Sequence, residues 1–135
     1  MTQAVETAGH DKHDMRLIGI VDDDESVRLA VGALLRSVGR PNQAYASGAD
    51  FLHHRPAGLL GCLIVDIRMK GMSGLELQAE LRRTGDTTPV IFISAHGDDD
   101  QRQRALAAGP VGFLAKPFAE AALLDLVRRA LALRR

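Results

Sequence analysis

One stretch constrains this chain more than any other: Cys62-Leu63-Ile64-Val65-Asp66-Ile67-Arg68-Met69. An apolar, β-branched run drives into a single carboxylate, and the pattern then breaks at Lys70-Gly71-Met72-Ser73-Gly74. A continuous apolar run between glycines reads as a strand buried on both faces, the signature of a parallel sheet covered by helices. Open α/β sheets bind ligands at the carboxyl ends of their strands, where Asp66 falls.

Other segments deliver similar ends. Leu17-Ile18-Gly19-Ile20-Val21 runs into Asp22-Asp23-Asp24-Glu25, Val90-Ile91-Phe92-Ile93 into Ser94, and residues 111–115 into Lys116-Pro117. A weaker strand is expected over residues 42–46. Between them lie amphipathic stretches. Val27, Ala30, Val31, Leu34, Leu35 and Val38 mark one apolar helix face, with Asp24 or Ser26 as its cap and Gly39 and Pro41 as its stop. Residues 49–55 predict a short helix with Phe51 and Leu52 inward and His53 and His54 on its wet side. Beyond Gly74, capped by Ser73, Leu75, Leu77, Ala79 and Leu81 are available to pack, and a last helix from Ala119 offers Leu123, Leu124, Val127 and Leu131.

Residues 98–108 also read as a helix, but Asp99, Asp100, Gln101, Arg102, Gln103 and Arg104 leave little apolar surface, so weak packing and high mobility are expected there. Five strands alternating with five helices call for an open parallel sheet with helices on both faces.

The 135 residues fit a single domain with one core, and residues 1–14, polar and aperiodic, read as a flexible tail. His10 and His13 in that tail lack a third ligand nearby. With 46% apolar and 25% charged residues the composition is that of a soluble globular protein. Lys plus Arg and Asp plus Glu both number 17, so net charge gives no reason to expect direct binding to nucleic acid or membrane. The single cysteine, Cys62, rules out an internal disulfide and reads as a buried structural thiol. With neither signal segment nor membrane span in view, a cytoplasmic location is expected.

A parallel sheet brings the strand ends to one edge. Asp22, Asp23 and Asp66 would then crowd together, and like charges so placed favour a proton or a cation. A hard divalent ion such as Mg²⁺ suits all-oxygen donors and is often held by one or two carboxylates with phosphate oxygens. Lys116 adds a point charge for phosphate and Ser94 a hydroxyl donor. The set reads as a phosphate site whose central carboxylate acts as a nucleophile toward phosphorus. Taken singly, each residue has a plainer reading: helix capping for residues 22–25, a loop start for Ser94, a surface charge for Lys116, core for Phe113. Their joint occurrence at four strand ends decides the matter.

Val21-Asp22-Asp23-Asp24-Glu25, Val65-Asp66-Ile67-Arg68-Met69, Ser94-Ala95-His96-Gly97-Asp98 and Phe113-Leu114-Ala115-Lys116-Pro117-Phe118, with Met72-Ser73-Gly74, resemble the receiver domain of two-component response regulators, in its FixJ-type branch. The resemblance covers about residues 15–133 and implies a flavodoxin-like (βα)5 fold of strand order 2-1-3-4-5, with residues 15–135 as the receiver domain.

It further implies Asp66 as phosphoacceptor, Mg²⁺ on Asp23, Asp66 and the backbone carbonyl of Arg68, and Asp22 acting on the ion through water. Ser94 and Phe113 take the switch positions, Lys116 the place of the invariant lysine, and Lys116-Pro117 often carries a cis peptide in the family. A sensor histidine kinase or a phosphotransfer protein would supply the phosphoryl group, and a downstream protein would read the 98–133 face. The protein would be a monomer or a phosphorylation-dependent dimer, and not an enzyme beyond its own phosphorylation and dephosphorylation. Little length follows Leu133, so a stand-alone receiver or a piece of a longer regulator is expected, without a DNA-binding output domain.

The rival readings are a phosphorylation-independent docking module and a phosphate sink in a phosphorelay. A phosphoaspartate hydrolase acting on external substrates fits less well, since it would want an acid two residues after its nucleophile, where Arg68 stands.

Departures from the family pattern are also visible. Lys70 stands where proline is usual and precedes Gly71, which predicts a looser loop, and Pro110 replaces a small residue. Arg68 and His96, each two residues beyond a site residue, are candidates for setting the lifetime of the acyl phosphate.

Overall fold

The computed structural model describes residues 16–55, 60–95 and 99–133. The tail expected over residues 1–14, the loop at Pro56 and Gly58, and His96 lie outside the described residues. The elements run β1 (Leu17–Val21), α1 (Glu25–Ser37), β2 (Asn42–Tyr45), α2 (Gly48–His54), β3 (Leu60–Asp66), α3 (Gly74–Arg83), β4 (Val90–Ala95), α4 (Asp99–Ala107), β5 (Gly112–Lys116) and α5 (Glu120–Leu133). The strands form one sheet in the order β2-β1-β3-β4-β5, with every pairing parallel.

Strand periodicity of two explains the two-sided burial. In β1, β3 and β4, Ile18, Ile20, Cys62, Ile64, Ile91 and Ile93 face one core. Val21, Leu63, Val65, Val90 and Phe92 face the other. Val31 and Leu35 of α1 and Leu123, Val127, Ala130 and Leu131 of α5 close the first layer. Phe51 of α2, Leu77 and Leu81 of α3 and Ala105 of α4 close the second. Each fully buried large aliphatic or aromatic side chain contributes roughly 1.5–3 kcal/mol relative to exposure, so both layers are needed to hold β3 between them.

Caps fix where the helices begin. Asp24, rather than Ser26, is the N-cap of α1, its carboxylate accepting from the Ser26 N–H at 2.9 Å. Ser73 caps α3 in a reciprocal pair with Glu76, Ser73 Oγ accepting from the Glu76 N–H and the Glu76 carboxylate from the Ser73 N–H.

Three helix-face expectations need correction. Val38 follows the last turn of α1 as its C-cap and is 49% exposed, because the chain leaves the helix before its side chain reaches the sheet. Ala30 is likewise exposed. In α3 the buried row is Gly74, Leu77, Gln78 and Leu81, the three-four spacing of a helix, which leaves Ala79 outside. The weak packing expected of the polar helix is present: α4 buries Ala105 alone. Among the described residues no helix is long and apolar enough to cross a membrane.

Candidate phosphoacceptor and cation site

The strand order reverses direction at β1 and β3, so the helices that follow these two strands leave on opposite faces and a crevice opens at their carboxyl ends. Asp22 directly follows β1 and is fully buried; Asp66 is the last residue of β3 and 5% exposed. Asp23, the next residue on, is exposed. One carboxylate oxygen from each of the three lies within 4.8 Å of the others.

Lys116, the last residue of β5, reaches across to donate to Asp22 Oδ2 at 3.1 Å and Asp66 Oδ2 at 3.4 Å. Backbone amides complete the cradle. The Asp24 N–H donates to Asp22 Oδ1 at 2.9 Å and the Arg68 N–H to Asp66 Oδ1 at 3.3 Å. The side chain of Arg28 on α1 donates to the Asp22 carbonyl at 2.8 Å. The loop after β3, expected to be loose, is tied across the crevice as well, since the Lys70 N–H donates to Asp23 Oδ2 at 3.1 Å.

The electrostatics follow from this geometry. Burial, reinforced by the Asp22 charge, pushes the Asp66 carboxyl up to about 6, against the pull of Lys116 and the Arg68 N–H. Burial works against the Lys116 ammonium, but Asp66 and Asp22 outweigh it and hold its pKa above the ordinary lysine value. The pocket therefore carries more anionic charge than one lysine offsets. Its donors are all oxygen, and three carboxylates at this spacing fit a hard divalent cation of the Mg²⁺ type.

Ser94 lies at the end of β4, opposite Ala115 and next to Lys116 in register. It is fully buried and its Oγ has no hydrogen-bond partner among the described residues. A buried hydroxyl left so costs on the order of 1–3 kcal/mol, which a ligand oxygen at the crevice would recover. Phe113 is half-buried against the second core, with the Arg102 guanidinium of α4 over its ring at 5.8 Å. The Lys116–Pro117 peptide is cis. Cys62 is buried and its thiol is pushed up to about 12, as an inert structural residue requires.

Asp22, Asp23, Asp66 and Lys116 thus come together and Ser94 lines the adjoining strand end, while Phe113 packs against the second core. Sequence reasoning missed the two braces, Arg28 on the Asp22 carbonyl and the Lys70 amide on Asp23, because contacts made to or from the backbone leave no residue-type signature. It also missed the buried Gln78, which the spacing from Gly74 and Leu77 to Leu81 would have exposed.

Comparison with known proteins decides the family. The model of the response regulator receiver domain matches residues 18–128. This chain belongs to the response regulator receiver domain family. The receiver domain is 44% identical over 117 residues to the response regulator protein TodT of Pseudomonas putida F1, covering 87% of this chain and 52% of TodT. It is 39% identical over 114 residues to the transcriptional regulatory protein FixJ of Azorhizobium caulinodans, covering 84% and 54%. The chain spans about half the length of these relatives. Among solved structures, the response regulator StyR superposes with a TM-score of 0.81 at 45% identity, over 88% of this chain and 60% of that one. FixJ-N superposes with a TM-score of 0.81 at 34% identity, over 87% and 94%.

Proposed function

We propose that this receiver domain takes a phosphoryl group onto Asp66 from a phosphohistidine of a sensor kinase or phosphotransfer protein, and thereby switches a protein-binding face. The observation that carries the reading is the placement of Lys116 on both buried carboxylates, with Asp23 completing an oxygen cluster within 4.8 Å. Metal-binding all-oxygen clusters beside a lysine suit phosphoryl transfer, where catalysis consists of positioning and charge stabilisation.

In this reading an Asp66 carboxylate oxygen forms the new P–O bond as the donor's P–N bond breaks. The imidazole nitrogen keeps the electron pair and takes a proton from solvent. Asp66, with its pKa near 6, remains ionised at neutral pH and so retains its nucleophilic oxygen. Lys116 exchanges part of its contact with Asp66 for the incoming phosphoryl oxygens. Asp22, held by the Asp24 N–H and by Arg28 through its carbonyl, stays fixed at the crevice floor. Asp23, Asp66 and the backbone carbonyl of Arg68 would hold Mg²⁺, with Asp22 acting through water; bound there, the ion supplies charge neutralisation for the phosphoryl oxygens.

The phosphate adds about −1.5 to −2 charge and three acceptor oxygens. The unpartnered Ser94 Oγ is the donor nearest in register to Lys116 and turns to that group. Phe113, two residues before Ala115 on the same strand, follows inward, and the 98–133 face repacks. This is a shift between two packings of one fold. The activity is confined to the protein's own phosphorylation and dephosphorylation, with Arg68 and His96 as candidates for setting the phosphoryl lifetime.

Incubation with Mg²⁺ and acetyl phosphate, followed by intact mass, tests the assignment. A single phosphoryl adduct is expected in the wild type and none in Asp66→Ala. An adduct that persists in the variant would refute Asp66 as acceptor. Failure of the wild type with several donors would favour a docking module that works without phosphate.

A further inference from the structure

The three carboxylates of the crevice are not equally secured. Asp22 is buried, bonded to the Asp24 N–H and to Lys116; Asp66 is almost buried, bonded to the Arg68 N–H and to Lys116. Asp23 is exposed, and the like charges of its two neighbours push its carboxylate outward toward water. Opposing that push is the backbone N–H of Lys70, which donates to Asp23 Oδ2 at 3.1 Å from 47 residues away in sequence. The accepting oxygen keeps a second lone pair and Oδ1 is not engaged by this bond, so the tether leaves the carboxylate competent as a ligand.

We infer that the Lys70 backbone amide is a positioning group for the divalent-cation site, holding Asp23 in the ligand cluster and tying the loop after β3 to the acidic pair after β1. The inference rests on reading the crevice as a Mg²⁺ site. The amide acts through Asp23 and does not touch the cation, as outer partners of metal ligands generally do. Its coupling runs both ways. A cation that orders Asp23 also orders residues 68–71, the segment that carries the Arg68 N–H bonded to Asp66. The donor belongs to the main chain, so every side chain at position 70 preserves it except proline, which has no N–H. The next residue, Gly71, has φ +74°, the left-handed region that glycine adopts without steric cost, and both variants below keep it.

Titration with Mn²⁺ followed by electron paramagnetic resonance, on wild type, Lys70→Pro and Lys70→Gln, tests this. Lys70→Pro is expected to bind Mn²⁺ about tenfold more weakly, the lower end of the effect of removing an outer partner. Lys70→Gln keeps the amide and is expected to bind within about twofold of wild type, since it alters only a screened surface charge. Equal affinity of wild type and Lys70→Pro would overturn the inference. Equal weakening in both variants would assign the effect to the ammonium and overturn it too. If wild type itself binds no Mn²⁺, the cation reading of the crevice falls and the tether's role falls with it. Should Lys70→Pro fail to fold by circular dichroism, amide exchange in the wild type decides. The Lys70 N–H is expected to exchange well below the free-chain rate, and more slowly once Mg²⁺ is added; exchange at the free-chain rate in both states would overturn the inference.

Discussion

Burial lifts the Asp66 carboxyl to about 6, with the charge of Asp22 adding to the rise and Lys116 resisting it. The unfolded chain releases this proton near the ordinary aspartate value of 3.8, whereas the folded, cation-free protein holds it to about 6. Between those values the folded state binds more protons, so stability falls as pH rises through the folded pKa. After allowance for solvent screening at the mouth of the crevice, the loss is about 1–2 kcal/mol. Asp66→Asn removes the titration, and its urea midpoint at pH 7.5 is expected to exceed that of wild type, with the difference shrinking toward pH 4. Equal midpoints at both pH values would show that Asp66 is not strained by its neighbours. Gly74 illustrates a different constraint at the same scale. A Cβ there would lie 2.5 Å from the Asp66 carbonyl and 2.9 Å from Ile67 Cα, both main-chain atoms with little room to move. Gly74→Ala should therefore destabilise by about 1–3 kcal/mol, measurable by urea denaturation, and disturb the end of β3 directly.

At the scale of elements, α4 is the outlier. It buries Ala105 alone and leaves Leu106 49% exposed, although it covers a sheet face beside Phe113. The Arg102 contact over the Phe113 ring is exposed enough to supply only about 0.5–1 kcal/mol. Amides of residues 101–107 are expected to exchange much faster than those of α3 and α5, which bury apolar rows along their length. Exchange across α4 as slow as in α5 would contradict this, and would mean that α4 is held as firmly as its neighbours. The contrast has a simple origin: a helix with six consecutive polar residues offers the sheet too little apolar area to hold it fast. Such an element costs little to repack.

For the molecule as a whole, the two cores meet at β3, and the ends of β1, β3 and β5 are joined by Lys116 across the crevice. A cation that binds the folded crevice and not the unfolded chain stabilises by mass action, by about 2.7 kcal/mol at a concentration one hundred times its Kd. Adding Mg²⁺ to cation-free protein is expected to raise Tm in wild type and to have little effect in Asp23→Asn. A Tm independent of Mg²⁺ in wild type would remove the cation from the proposed mechanism.

Most of the architecture was legible because it rests on periodicity. Apolar runs of strand length ending in Asp22, Asp66, Ser94 and Lys116, separated by helix-period stretches, determine a parallel sheet with both faces covered and its chemistry along one edge. Helix ends and faces were less legible. Val38 continues the apolar pattern of α1 but lies past its last turn, and Gln78 is polar yet faces the core, since position on the helix rather than residue type decides burial. Only the tertiary structure decided how the crevice is braced. Arg28 grips a carbonyl, the Arg68 and Lys70 amides grip carboxylates, and Lys116 divides itself between two acids. Residue identity fixes which side chains carry charge, but every backbone amide is chemically alike. Which amide becomes a ligand's anchor depends on where folding leaves it.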